Sequence, residues 1–476
     1  MLNQSFSLKN FTKIFEIENR KGNFESKFYS DEFHRLSGEL KKQRAIIKLY
    51  KGGREVPRED DKLKDLYDEK KKLENQKKNE LELTLQEYSG TVNSKDFKFS
   101  ISKTLHKPSG KYIYPLTKDA PSFFAMKQLQ YNVNRTFGVK QGNRYLISKQ
   151  VQSLLKDNIS KIVLRTDIKS FYESVSQSRL LEKIFNNQLL SPKSKALIKS
   201  LLFSYNQLTG QLGTAEEDRK GIPRGAGISA YLAELYMREV DDKIRRMDDV
   251  IYYSRYVDDI VVVFRPNWKL AKADYKTQVQ KVIVESGLEM NNSKSFTYDL
   301  ENDRKEINIE FLGYVFNLKD LQYLNTSMSS RKIDKYVSRI EKSLNAFLEQ
   351  RTFGYNEASK LLIHRFNYLT KNTRLHRPKK GLVGIYYSNS LIEVDCKDLK
   401  FLDSELKRLV GEKLPTSHFP KLNRKLEEYS FENGFKNRYF FNVNSKRKNI
   451  ADLRPTKLKE SRKLVNNFER VISIWK

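Results

Sequence analysis

The chain has a single cysteine, Cys396, in 476 residues. One thiol cannot close an internal disulfide. With no CxxC pair a cysteine-based zinc site is not expected, and the five histidines show no metal-ligand spacing. Cys396 reads as a small buried apolar side chain, and His106 and His364 read as structural. Long apolar runs are also missing. Nothing approaches the roughly 18 consecutive residues of a membrane helix, and MLNQSFSLKNFTKIFEIENR lacks the apolar core of a secretion signal. The expectation is a soluble, cytoplasmic protein of a reducing compartment. Acidic residues are the minority, 59 against 90 Lys and Arg, which leaves a net charge of +31. An excess of that size points to a polyanionic partner, and nucleic acid is the default. No repeat or low-complexity tract interrupts the chain.

Residues 32–88 are mostly charged and helix-favouring, broken by KGGREVPRED at 51–60. Leucines at 63, 66, 73, 81, 83 and 85 predict a helical hairpin with a thin apolar stripe. Residues 97–118 alternate in strand fashion around Pro108, Ser109 and Gly110, which predicts a β-hairpin. Residues 122–156 read as helix. KIVLRTD (161–167) is an apolar strand ending in a carboxylate. GIPRGAGIS (221–229) is a Gly/Pro loop opening into a helix whose apolar face is Leu232, Leu235, Tyr236, Val240 and Ile244. VIYYSRYVDDIVVVF (250–264) is a hairpin, 271–285 a helix and FLGYVF (311–316) a short strand. Beyond 327 the pattern is helical, with Ile333, Val337, Ile340, Leu344 and Phe347 on one face. Helices on one face of a small antiparallel sheet make an α+β layer.

Asp258 and Asp259 interrupt an aromatic and β-branched run. In a regular strand they would face opposite ways; at a hairpin tip both can serve one site. Asp167 ends another apolar strand. If the strands are neighbours the three carboxylates converge, and their repulsion calls for a divalent cation. Hard oxygen donors without histidine select Mg²⁺, and two such ions suit phosphoryl transfer.

RTDIKSFYES, GIPRGAGIS, YVDD, GLEMNNSKSF and FLGYVF fall in the order of the palm motifs of reverse transcriptases. Over roughly residues 100–320 the chain resembles that family, most of all its bacterial abortive-infection and defence-associated members, to which DIKSFYES, Arg224 and the LLIHRFNYLTKN…GLVGIYYSNSLI region point. The resemblance implies a right-hand polymerase. Residues 1–96 would be an N-terminal extension, 97–325 fingers and palm, and 326–476 a basic helical thumb. It implies two Mg²⁺ ions held by Asp167, Asp258 and Asp259 with the carbonyl of Ile168. Lys294 would protonate the leaving pyrophosphate. Tyr172, beside Phe171, would gate the incoming sugar, and small Gly225 would let backbone approach a base pair. Arg224 replaces a glutamine usual in the family and brings a cationic fork suited to phosphate. Lys107, Lys111 and Arg144 are candidates for gripping the triphosphate. Phe311, Leu312, Gly313 and Tyr314 would grip the primer.

The implied partners are deoxynucleoside triphosphates, an RNA template (a dedicated non-coding RNA in some relatives), a DNA product, and a protein partner or further copies of the chain. Three rivals stay open. One is an untemplated or protein-primed polymerase on the same site, another a catalytically idle, maturase-like binder, and the third a retron enzyme. The basic, aromatic-rich tail from 421 suits phosphate neutralisation and base stacking as well as it suits a solvated surface.

Overall fold

A computed structural model describes residues 3–475 except 22–25, 53–59, 107–109, 158, 267–273, 301, 303–305, 376–380, 394, 442–446 and 450–463. In chain order the elements are α1 (Leu8–Lys21), α2 (Asp31–Gly52), α3 (Asp60–Asn93), β1 (Thr104–His106), β2 (Lys111–Ile113), α4 (Ala120–Phe137), α5 (Arg144–Lys156) and β3 (Ile162–Asp167). Next come α6 (Phe171–Ser174), α7 (Gln177–Phe185), α8 (Pro192–Thr209), α9 (Ser229–Arg245), β4 (Val250–Tyr256), β5 (Asp259–Phe264), α10 (Tyr275–Glu285) and β6 (Phe296–Asp299). The last part contains β7 (Ile307–Phe311), β8 (Tyr314–Lys319), β9 (Gln322–Met328), α11 (Ser330–Thr370), β10 (Asn372–Leu375), β11 (Gly381–Gly384), α12 (Lys397–Lys413), α13 (Pro420–Glu427) and α14 (Phe431–Lys436). Among the described residues no helix is long and apolar enough to cross a membrane.

These elements form two compact units, each assembled from three stretches of chain. The first unit takes Met1–Gly142, Thr166–Asp248 and Asp274–Lys294; the second takes Asn143–Arg165, Asp249–Ala273 and Ser295–Lys476. The division cuts across the three consecutive segments expected from the sequence.

In the first unit α2 and α3 form the expected helical hairpin. Its stripe is narrower than the leucine count suggests, since Leu81 and Leu85 are buried while Leu83 is exposed. The helix expected over 122–156 is two helices. Gly138, at φ 61°, caps α4 in the left-handed region, and the Asn143 side chain accepts from Tyr145 and Leu146 to start α5. In α9 all five expected apolar-face residues are buried.

The second unit contains a four-stranded sheet in the order β4-β5-β3-β6 and a three-stranded sheet, β7-β8-β9. Strands β3 and β5 are the inner pair, which explains why IVL and IVVVF read as unbroken apolar runs: both faces are covered. FLGYVF is not one strand. Leu312 and Gly313 take φ 48° and 77° and make a two-residue turn, so that Phe311 pairs with Tyr314. The helical face after 327 is present in α11, with Ile340, Leu344 and Phe347 buried. Helix α14 meets the end of α11 so closely that a Cβ on Gly434 would lie 1.7 Å from the Thr370 carbonyl oxygen.

Candidate active site

In the first unit, Asp167 ends β3 almost completely buried, at 7% exposure. A carboxylate taken out of water needs partners. Its Oδ2 accepts from Lys294 Nζ and from Asn291 Nδ2, both at 3.1 Å. The Asn291 N–H also donates to the Asp167 carbonyl, at 2.8 Å, and the Lys169 N–H donates to the Glu289 carbonyl, at 2.9 Å. These two bonds flank the antiparallel bridge between Ile168 and Met290. Ile168 is therefore the non-bonded partner of that bridge, and its carbonyl faces away from residues 289–291.

Ser170, at φ 46°, turns the chain into the short helix α6, which carries Phe171 and Tyr172. Phe171 is buried, and its ring meets Tyr172 edge-on at 5.6 Å. The Gly/Pro loop runs beside them. Gly221 N–H donates to the Val175 carbonyl at 2.7 Å, and Ile222 N–H donates to the Tyr172 carbonyl at 2.8 Å. Gly225, at φ 91°, lies against Ile113, where a Cβ would be 3.4 Å from the Ile113 Cβ. The positive φ favours glycine there, while the space itself would admit a Cβ. The Arg224 carbonyl accepts the Tyr114 N–H at 2.6 Å, which ties the loop to the chain just after β2. Its guanidinium is already engaged: Nε and Nη2 reach the two oxygens of Glu173 at 3.1 and 3.0 Å. The fork expected to meet phosphate instead holds a carboxylate of this chain. Lys111 is exposed in β2; Lys107 lies outside the described residues.

In the second unit, β4 and β5 pair until Tyr256 faces Asp259, so Val257 and Asp258 form a two-residue turn. Val257 sits at φ 62°. A β-branched residue rarely takes that conformation, and strain of this kind is kept where it serves a site. The buried Arg255 holds the turn, donating from Nη1 to the Val257 carbonyl at 2.9 Å. Asp259 Oδ1 is 3.6 Å from Arg165 Nη2. Arg144 does not stand free for a triphosphate: Nη2 donates to the Leu312 carbonyl at 2.8 Å, and its guanidinium lies 6.0 Å from the Tyr256 ring centre. It braces the 311–314 turn against the YVDD hairpin. Lys332 covers the Tyr314 ring at 4.3 Å. Burial, reinforced by Arg144 and Lys335, pushes the Lys332 amine down to about 8. Burial lifts the Tyr314 phenol to about 12.

Among the described residues no group of three or more His, Cys, Asp or Glu side chains is arranged to hold a metal ion. The donor chemistry nevertheless fits one. All three expected side-chain ligands are carboxylates, and two of them have a side-chain cation beside them, Lys294 by Asp167 and Arg165 by Asp259. An all-oxygen set suits Mg²⁺. Sequence reasoning passed over Asn291, Arg165, Arg255 and Glu173. Arg165 was legible, because it lies two residues before Asp167 and so on the same strand face.

A family model described as reverse transcriptase (RNA-dependent DNA polymerase) matches residues 77–316, just over half of the chain. No curated protein matches the chain.

Proposed function

We propose, from the premise that this chain belongs to the reverse transcriptase family and is an RNA-directed DNA polymerase, that Asp167, Asp258 and Asp259 are its catalytic carboxylates. In that reading they hold two Mg²⁺ ions, helped by the Ile168 carbonyl. When bound, such ions activate the attacking 3′-hydroxyl and offset charge on the transferred phosphate. The observation that carries the reading is the YVDD turn, where a strained Val257 and a buried arginine present adjacent carboxylates at a hairpin tip.

The chain's own groups then divide the work. Lys294, held on Asp167, carries a proton that can pass to the leaving pyrophosphate oxygen. Tyr172 lies beside the sugar of the incoming nucleotide and excludes a 2′-hydroxyl. Gly225 admits the nascent pair, and the Phe311–Tyr314 turn supports the primer end. The resemblance of DIKSFYES and Arg224 to defence-associated enzymes supports a role in protection against phage.

Tyr172→Ala is expected to raise ribonucleotide incorporation relative to deoxynucleotide by about 100-fold, because one buried polar contact or steric exclusion is worth a few kcal/mol. Single-nucleotide extension with matched dNTP and rNTP reads this, and an unchanged ratio removes the gate assignment. The broader test purifies the protein from its host and sequences the nucleic acid that accompanies it. A product complementary to a co-purified RNA supports templated synthesis. A homopolymeric or protein-linked product would replace it with untemplated or protein-primed synthesis.

A further inference from the structure

Arg224 and Glu173 are joined in a way that stability does not explain. Both Glu173 oxygens are taken by one guanidinium, through Nε and Nη2, at 3.1 and 3.0 Å. The two side chains are 28% and 39% exposed, and a partly solvated ion pair adds little to folding while ordering two long side chains. The same guanidinium lies over the Tyr172 ring, 4.8 Å from its centre. Glu173 is the next residue after Tyr172 on α6. Arg224 therefore reaches across the ring to grasp the residue that follows it.

The backbone makes this rigid. Ile222, two residues before Arg224, donates to the Tyr172 carbonyl, and the Arg224 carbonyl accepts from Tyr114. Tyr114 is itself packed edge-on against Tyr205 at 4.8 Å. Tyr205 in turn sits where a Cβ on Gly221 would be, 2.6 Å from its hydroxyl. One face of the Tyr172 ring is covered by the guanidinium, and the edge of Phe171 limits its swing. To rotate, the ring must displace a bidentate pair anchored at both ends.

We infer that the Arg224–Glu173 pair is a clamp that fixes the Tyr172 ring and thereby sets how strictly ribonucleotides are refused. The inference rests on reading Tyr172 as the sugar gate. Arg224 and Glu173 are positioning residues. Their guanidinium and carboxylate are spent on each other, so neither is required to touch the nucleotide.

The test is single-nucleotide extension by the full chain, comparing kcat and KM for one dNTP and the matching rNTP in wild type, Arg224→Gln, Glu173→Gln, the double variant and Arg224→Lys. The clamp predicts that each single variant raises the rNTP/dNTP ratio of kcat/KM by about tenfold, the equivalent of about 1.4 kcal/mol. The change should fall in the rNTP KM, while kcat for the dNTP stays near wild type. The double variant should be no worse than either single, because both remove one unit. Arg224→Lys, which keeps charge over the ring but loses the fork, should fall between. A ratio unmoved in both single variants overturns the clamp. So does a fall in rate for both nucleotides together, the mark of a merely structural role. So does a KM rise for both nucleotides in Arg224→Gln but not in Glu173→Gln, the mark of phosphate binding. Tyr172→Ala separates the two levels. If it relaxes the ratio and the clamp variants do not, only the clamp fails; if it leaves the ratio unchanged, the gate and the clamp fail together.

Discussion

Asp258→Asn is expected to leave the protein folded and to cut deoxynucleotide incorporation by about 10³-fold or more. The substitution keeps size and shape at the second turn position, where asparagine is as well suited as aspartate, so Val257 and the Arg255 bond to its carbonyl have no reason to move. In the proposed reading it removes one negative charge from the set that would hold the metal ions beside a triphosphate. Charge stabilisation by metal ligands in phosphoryl transfer is worth several kcal/mol, and each 1.36 kcal/mol is tenfold in rate. Asp167→Asn should act alike, with a second consequence: Lys294 loses its ion pair. The measurement is primer extension under single turnover, with thermal melting to show that the variants remain folded. Incorporation within tenfold of wild type in both variants would remove these carboxylates from the catalytic set.

Gly434→Ala is expected to destabilise the second unit by about 3 kcal/mol or more. The added Cβ would sit 1.7 Å from the Thr370 carbonyl oxygen and 2.9 Å from its carbon. Both are backbone atoms at the end of α11, so no rotamer change can relieve the clash. Overpacking in a rigid contact ordinarily costs ~1–3 kcal/mol, and this contact is tighter than most. Gly411, with nothing near its Cβ position, is the control: Gly411→Ala in the last turn of α12 should be neutral or slightly stabilising. Urea denaturation followed by circular dichroism compares the two. Equal midpoints would mean that α14 and α11 do not approach as closely as described.

The elements of the candidate site were legible because their chemistry is local. An apolar strand running into Asp167, glycines before an amphipathic helix, and two carboxylates inside a β-branched hairpin each announce themselves within about fifteen residues. What could not be read was pairing over distance. Nothing in GIPRGAG shows that Arg224 will spend its fork on Glu173, 51 residues earlier in the chain. Nothing near Arg144 shows that its partner is the Leu312 carbonyl. Both were expected to meet phosphate, since a basic side chain near a nucleotide motif carries no mark of a prior commitment. The break between α4 and α5 was present in the sequence as Gly138 and Asn143, but helical periodicity on either side masked it. FLGYVF reads as one strand from its residues for a related reason: Leu312 in the left-handed region contradicts its own propensity.

The interleaving of the two units has a consequence for how the molecule comes into being. On a ribosome the first 142 residues emerge long before Asp274–Lys294, which complete the unit they belong to, and Asn143–Arg165 must wait for everything after Ser295. Domains that fold as units, N-terminal part first, cannot do so here. On this division the nascent chain is expected to hold unfinished apolar faces through most of translation, and any single cut to leave at least one unit incomplete. Shortening this protein from either end should therefore yield aggregates rather than a minimal enzyme.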